Sequence, residues 1–259
     1  MSQINPYQSP TLLHPEPGQL PVSGPPTFGR ILVSCLEVLA NRWLTFLAAV
    51  VVVFLPWEMF LAYVEHNHTS EDDPFLFLFL ALLSPLTVFL IAEGMVIAAT
   101  RQQLLREEGG TAAAVLIALK SFPWLFVWVL VSGFAIGIGA LFCVLPGIAL
   151  NIFWMYVLPI GVNEREKYVN PLQASWQLTM SHLGVSVVTF LALCIPMLVL
   201  VVAPSFVVET YFPEYDSWLV STVIGVFEDL IPLVVTCAFA CAYHHLRQAD
   251  AEKSELSAS

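Results

Sequence analysis

The sequence predicts an all-α polytopic integral membrane protein with six transmembrane helices. Its 259 residues are 58% hydrophobic and only 11% charged, whereas ordinary soluble domains are roughly 45–50% apolar and about 25% charged. Apolar stretches of about 20 residues recur along the chain, and each can cross a hydrocarbon core about 30 Å thick. Composition therefore favours a membrane protein over a soluble globular domain.

Two polar tails flank the predicted membrane domain, which covers residues 28–245. Residues 1–27 contain seven of the eighteen prolines and no apolar core of a secretory signal, so we expect a disordered cytoplasmic tail rich in extended polyproline II. Residues 246–259 follow the last apolar stretch and are mostly polar. They are predicted to form a second disordered cytoplasmic tail.

Six apolar spans are predicted, at residues 43–64, 75–100, 123–143, 146–163, 183–208 and 218–245. Lys and Arg concentrate in cytoplasmic loops of membrane proteins, and here all nine fall on one side of the predicted layout. They are Arg30, Arg42, Arg101, Arg106, Lys120, Arg165, Lys167, Arg247 and Lys253. This distribution places both termini in the cytoplasm.

A shorter amphipathic helix is predicted ahead of spans 1, 3 and 5. Apolar residues recur three and four positions apart from Phe28 to Trp43, and again in residues 111–124 and 170–183, as expected for helices at the membrane interface. Asn170 followed by Pro171 is typical of a helix N-cap and first position. The repeating unit is thus an interfacial helix followed by a transmembrane hairpin, used three times.

Two adjacent carboxylates, Glu228 and Asp229, lie near the middle of span 6 in the stretch GVFEDLIPLVV. A central charged Asp costs about 2.5 to 3.5 kcal/mol during membrane insertion, so we expect at least one of the pair to be neutral. Pro232 lacks the N–H group that would bond to the Glu228 carbonyl, which predicts a helix kink. Thr222, Gly225 and Thr236 lie on the side of Asp229 and indicate that it faces other helices.

Possible companions of these carboxylates are Glu93 in span 2, Asn151 in span 4 and Glu58 in span 1. Glu228, Asp229 and Glu93 are therefore a candidate intramembrane proton or cation site beside a broken helix. The alternative interpretation is a hydrogen-bonded structural pair that locks helices together. Sequence alone favours the structural alternative, because no span supplies a cationic partner.

Other chemistry has less support. His66 and His68 lie in the acidic stretch EHNHTSEDD and could ligate Zn²⁺, but a solvated acidic loop is the favoured explanation, because the stretch implies no fixed ligand geometry. The five cysteines form no CxxC pair and are typical of packing residues. No nucleotide-binding, hydrolase or metalloprotease motif is present. We therefore expect a non-enzymatic protein without a cofactor or a nucleic-acid partner.

The stretch from residue 141 to residue 184 carries a family resemblance. A Leu-Pro-Gly turn leads into a span that ends in Pro and an acidic residue, and a short helix follows. This pattern resembles the six-helix bacterial membrane domain that precedes some glycerophosphoryl diester phosphodiesterases, and the related YciC-like membrane proteins. The matching positions are Leu145, Pro146, Gly147, Pro159, Glu164, Leu172, Ser175 and Leu178.

The resemblance implies a bacterial cytoplasmic membrane protein that contacts membrane lipids and a protein partner. Two departures are Ala174, where the pattern has Arg, and His182, near an expected Gly. Because only a short polar segment follows span 6, we do not expect the phosphodiesterase activity of those proteins. The leading hypothesis is a protein that organises or senses the bilayer or supports a partner. The alternative is a small secondary transporter or channel that uses Glu228 and Asp229.

Overall fold

The fold is all-helical in the part of the chain that the structure, a computed structural model, describes. This part comprises residues 25–67, 75, 80, 84–165, 169–211 and 218–258. Ten α-helices and two π-helical segments are assigned there. They are α1 (Phe28–Asn41), α2 (Trp43–Ala48), a π segment (Ala49–Phe54), α3 (Leu55–Asn67), a π segment (Ser84–Phe89), α4 (Leu90–Leu104), α5 (Thr111–Phe142), α6 (Val144–Trp154), α7 (Val157–Asn163), α8 (Pro171–Ser181), α9 (Leu183–Tyr211) and α10 (Trp218–Ala258).

Five helical stretches are long and apolar enough to cross a membrane. They are Trp43–Val64, Thr111–Phe142, Val144–Asn163, Leu183–Val202 and Thr222–Ser257. These correspond to predicted spans 1, 3, 4, 5 and 6, and they confirm an all-α membrane protein. Predicted span 2, residues 75–100, lies only partly within the described residues. The count of six spans and their arrangement as three hairpins therefore stay predictions.

The helix predicted ahead of span 3 is not separate from that span. Residues 111–142 form one 32-residue helix, α5, with Pro123 inside it. The sequence that follows the N-cap Gly110 is rich in Ala, the best helix former, and Pro123 removes one backbone hydrogen bond and clashes with the carbonyl one turn earlier, which can kink a helix without ending it. By contrast, α1 ends at Asn41 and α8 ends at Ser181, so these two are distinct helices as predicted.

The N-terminal cap of α8 has the predicted form. The Asn170 side chain accepts hydrogen bonds from the backbone N–H groups of Leu172 and Gln173, at 3.1 and 3.3 Å, and Pro171 occupies the first helical turn. These bonds satisfy donors that the helix itself cannot satisfy. The cap fixes where the chain turns into α8, which packs against α6 and α7.

Helix α10 lies at the centre of the bundle, because it packs against α1, α3, α4, α7 and α9. Its buried residues Leu233 and Leu246 belong to the same core as Ile31 of α1 and Phe54 of the first π segment. Four earlier helices and α9 therefore all contact this one helix. Any polar side chain on the inward face of α10 meets residues from several of them.

The end of α10 corrects one prediction. The helix continues to Ala258 instead of ending at 245, so the predicted disordered tail over residues 246–259 is wrong for residues 246–258. Ala, Gln, Glu and Leu are good helix formers in this segment. The Gln248 side chain donates to Glu252 at 3.1 Å, and Asp250 pairs with His182 at 2.8 Å. Residues 1–24 of the other predicted tail lie outside the described part.

Candidate functional site

One face of α10 carries a polar residue at every seventh position. Thr222, Asp229, Thr236 and Tyr243 form this polar face, and all four side chains are buried. Seven residues make almost two turns of an α-helix, so these side chains lie in a row and successive members are about 10 Å apart along the axis. Each of the last three meets an acidic residue from another segment of the chain.

The outer acidic contact joins Asp229 to Glu58 of α3. The two carboxyl groups are hydrogen-bonded to each other, which requires one proton between them because an ionised carboxylate can only accept. Asp229 Oδ2 is buried and has no hydrogen-bond partner among the described residues. The Glu58 carboxyl packs directly against Gly225, where any Cβ atom would overlap with it. Glycine at 225 is therefore what allows α3 to approach α10 so closely.

Glu228 lies beside this contact but not on the polar face. Its side chain is half-buried and interacts electrostatically with Asp229. Pro232 lies inside α10, one turn further along, so the Glu228 carbonyl has no N–H group at position 232 to accept from. The predicted bend at Pro232 stays a prediction.

The middle contact joins Thr236 to Glu93 of α4. Thr236 Oγ1 donates to Glu93 Oε1 at 3.0 Å. The sequence predicts that Glu93 lies with Glu228 and Asp229, whereas the structure pairs it with Thr236, two turns further along α10. Glu58, considered only as a possible companion, takes the place next to Asp229.

The inner contact is one that the sequence did not predict, although Glu164 and Arg247 were each noted separately. Glu164, which follows α7, accepts hydrogen bonds on Oε1 from Tyr243 Oη and from Arg247, both at 2.6 Å. The Glu164 side chain is only 7% exposed. The seven-residue spacing from Thr236 to Tyr243 was a signal that could have extended the polar face. Arg247 was read only as a marker of membrane orientation.

Asn151 does not join these acids. It is exposed on α6, although sequence analysis considered it as a companion of Glu228 and Asp229. His66 lies in the last turn of α3, its side chain is not described, and His68 lies outside the described residues. Among the residues that are described, no group of three or more His, Cys, Asp or Glu side chains is arranged to hold a metal ion.

The positions that carry the family resemblance have structural roles around the α5–α6 and α6–α8 contacts. Gly147 is buried, and a Cβ atom there would lie 3.0 Å from Ala140 Cα, so it permits close packing of α5 on α6. Ser175 donates to the Phe153 carbonyl at 2.8 Å and accepts from the Tyr156 N–H at 3.2 Å. It thereby satisfies backbone groups at the break between α6 and α7.

The other matching positions differ in how far their side chains are buried. Pro159 and Leu178 are buried, Leu172 is half-buried, and Leu145 and Pro146 are exposed in the first turn of α6. No known protein family, curated protein or solved structure matches the chain significantly. The resemblance therefore rests on the sequence pattern.

Three contacts that contain carboxyl groups thus lie along one helix. In the predicted orientation, they extend from its outer half to its cytoplasmic end. Each contains groups that can bind or release a proton. Carboxylate oxygens also suit small hard cations. Buried ionisable residues in membrane-spanning helices are costly, and they characterise ion pathways and proton relays.

Proposed function

We propose that this chain is a six-span protein of the bacterial cytoplasmic membrane, built as three hairpins with both termini in the cytoplasm, that moves protons or another small cation along α10. It is non-enzymatic in this proposal. Asp229 and Glu93 are the stations of the pathway, Glu58 shares the proton of the first, and Glu164 lies at the cytoplasmic end. Membrane lipids surround the bundle.

The observation that supports the proposal is the row of acids from three different segments along one polar face. Polar side chains that bond across membrane helices also hold helices together, but a row of acids along one face is in addition the arrangement of a proton relay. Here Glu58, Glu93 and Glu164 each meet a position on α10 that is two turns from the next. The α10 positions of successive contacts are about 10 Å apart along the helix axis, which is further than one hydrogen bond reaches. Transfer between stations therefore requires water or movement of side chains.

A second candidate function is the bilayer-organising or partner-supporting role that sequence analysis favours. One observation supports it: the contacts of Asp229, Thr236 and Tyr243 each join α10 to a different earlier segment. The same bonds would act as clamps that hold a rigid bundle together. In that case the acids stabilise the fold, and no ion crosses the membrane through the protein.

Proton flux into liposomes distinguishes the two candidates. Purified protein is reconstituted with an internal pH-sensitive dye, and a potassium diffusion potential drives uptake. We expect flux in the wild type, and loss of it in Asp229→Asn and in Glu93→Gln. Glu37→Gln is the matched control, because Glu37 is exposed on α1 and lies outside the pathway. Sodium and potassium gradients without a pH gradient test other cations.

If the folded wild type carries no ion under any of these gradients, and none of the variants does either, the pathway proposal fails and the clamp role stands. Folding of each variant is checked by its elution as a single species and by its melting temperature in detergent.

A further inference from the structure

The contact of Glu164 with Tyr243 and Arg247 differs from the two contacts further out, because it contains a full positive charge. Both donors bind the same oxygen, Oε1, at 2.6 Å. Hydrogen bonds between ionised groups are shorter and about twice as strong as neutral ones. The Arg247 guanidinium also lies 5.8 Å from the centre of the Tyr243 ring. Glu164 is thus held from two directions by a single helix.

The position of this cluster matters as much as its strength. Tyr243 is the last buried member of the polar face, and Arg247 lies one turn beyond it at the predicted cytoplasmic end. In the proposed pathway, an ion that moves between Glu93 and the cytoplasm along α10 passes this cluster. A fixed guanidinium charge beside a narrow path repels cations.

We propose that Glu164, Arg247 and Tyr243 form the inner gate of this pathway, closed while Glu164 is ionised and opened when Glu164 binds a proton. The inference rests on the proposed function and adds to it a means of controlling access from the cytoplasm.

The proton balance of the gate is simple. A proton from cytoplasmic water binds to the Glu164 carboxylate, and the neutral acid no longer attracts the guanidinium. Arg247 keeps its own protons and turns towards water, which its side chain already reaches because it is 23% exposed. The transported cation passes while the gate is open. Glu164 then returns its own proton to cytoplasmic water, becomes ionised again, and restores the ion pair. No group is oxidised or reduced.

The surroundings of Glu164 are consistent with such a switch. Among the described residues, its charged or titratable partners are Tyr243 and Arg247, both on α10. The neighbouring Arg165 is exposed. Arg247 Nε and Asn163 Oδ1 are buried without hydrogen-bond partners in the described part of the chain. Water can form hydrogen bonds with these two atoms when the gate opens.

Proton flux in liposomes tests the gate with four variants. Glu164→Gln mimics the protonated acid, and Arg247→Gln removes the positive charge. Arg165→Gln is the matched control, since it removes a positive charge from the exposed neighbour of Glu164 and keeps the ion pair with Arg247. The exchange variant, Glu164→Arg with Arg247→Glu, restores a pair of opposite sign. Asp229→Asn reports on the pathway itself.

We expect flux through Glu164→Gln and Arg247→Gln to rise several-fold and to depend less on cytoplasmic-side pH than in the wild type. Arg165→Gln should stay near the wild-type rate, and the exchange variant should return towards it. Flux that appears only in Glu164→Gln and Arg247→Gln also supports the gate, with the wild type then mostly closed.

Two other outcomes contradict the inference and can be told apart. If the wild type conducts and Asp229→Asn abolishes conduction, but Glu164→Gln and Arg247→Gln are folded and conduct no faster, the gate is wrong and the pathway stands. If no variant conducts at all, both the gate and the proposed function are wrong.

Discussion

Gly225 of α10 lies directly against the carboxyl group of Glu58 on α3, and Glu58 in turn is hydrogen-bonded to Asp229 one turn away. The absence of a side chain at 225 and the presence of an acid at 58 therefore depend on each other. Neither residue alone explains why α3 and α10 approach so closely.

Gly225→Ala is expected to destabilise the protein. The new Cβ atom overlaps with the Glu58 carboxyl, which must leave Asp229 or push the helices apart. Overpacking of this kind lowers the free energy of unfolding by about 1–3 kcal/mol. Melting in detergent measures the effect. Gly137→Ala is the control, since nothing lies within 4 Å of a Cβ atom there. A Gly225→Ala protein as stable as the Gly137→Ala protein would show that the contact is absent.

Gly147→Ala should separate α5 from α6. A Cβ atom at 147 would lie 2.9 Å from Ala140 Cβ and 3.1 Å from Ala140 N. The free energy of unfolding is expected to fall by about 1–3 kcal/mol, and melting in detergent measures this change. Adding Ala140→Gly should restore only part of it, because the backbone of Ala140 is itself too close. Full restoration by that second change would contradict the backbone contact.

Asn170→Ala is expected to cost about 1 kcal/mol of stability, the usual loss when a capping side chain is removed from a helix N-terminus. The side chain satisfies two backbone donors of α8. Asn170→Asp keeps an acceptor at the same place and should be nearly neutral. Chemical unfolding in mixed micelles compares the two variants, and equal losses in both would contradict the capping role.

Thr236→Val tests the middle contact. The variant keeps the shape of the side chain but leaves Glu93 without this hydrogen bond. Hydrogen bonds between helices in membranes contribute about 0.6 kcal/mol on average and up to about 1.7 kcal/mol. A double-mutant cycle with Glu93→Met should give a coupling energy in this range. A coupling energy of zero would mean that the two side chains do not interact in the membrane.

Cys35 on α1 is expected to resist alkylation. Its hydrogen bond with Cys237 and its burial raise its pKa well above that of an ordinary thiol, so the reactive thiolate stays rare as the pH increases. In detergent at pH 7 to 9, maleimide should modify the exposed Cys143 while Cys35 stays unmodified until the protein unfolds. Peptide mass spectrometry distinguishes the two sites. Rapid labelling of Cys35 at pH 8 would contradict its packing against α10.

Local signals in the sequence predicted local structure well. Asn170 and Pro171 mark the start of α8, because the cap depends on residues within one turn. The spacing of Thr222, Gly225 and Thr236 around Asp229 also identified an inward face, because helical geometry alone places them together. Both are properties of a single helix.

Contacts between helices could not be predicted in the same way. Glu58, Glu93 and Glu164 were all visible as acids, but which of them meets which position on α10 depends on the rotation and depth of each helix. The rotation and depth of each helix are set by contacts between residues that lie about 80 to 170 positions apart in the chain, such as the contact of Gly225 with Glu58. The helical continuation to Ala258 was missed because its anchors, Arg247 with Glu164 and Asp250 with His182, are likewise distant in sequence.

The central place of α10 also has a consequence for how the protein is made. Glu58, Glu93 and Glu164 are all translated before any residue of α10, and Asp229 follows Glu58 by about 170 residues, on the order of ten seconds or more at ribosomal rates. By the end of that interval the growing chain holds three acids whose contacts with α10 have not yet formed. Arrival of the last helix completes the hydrogen bonds of all three, so a nascent chain that stalls before it remains chemically recognisable as unfinished.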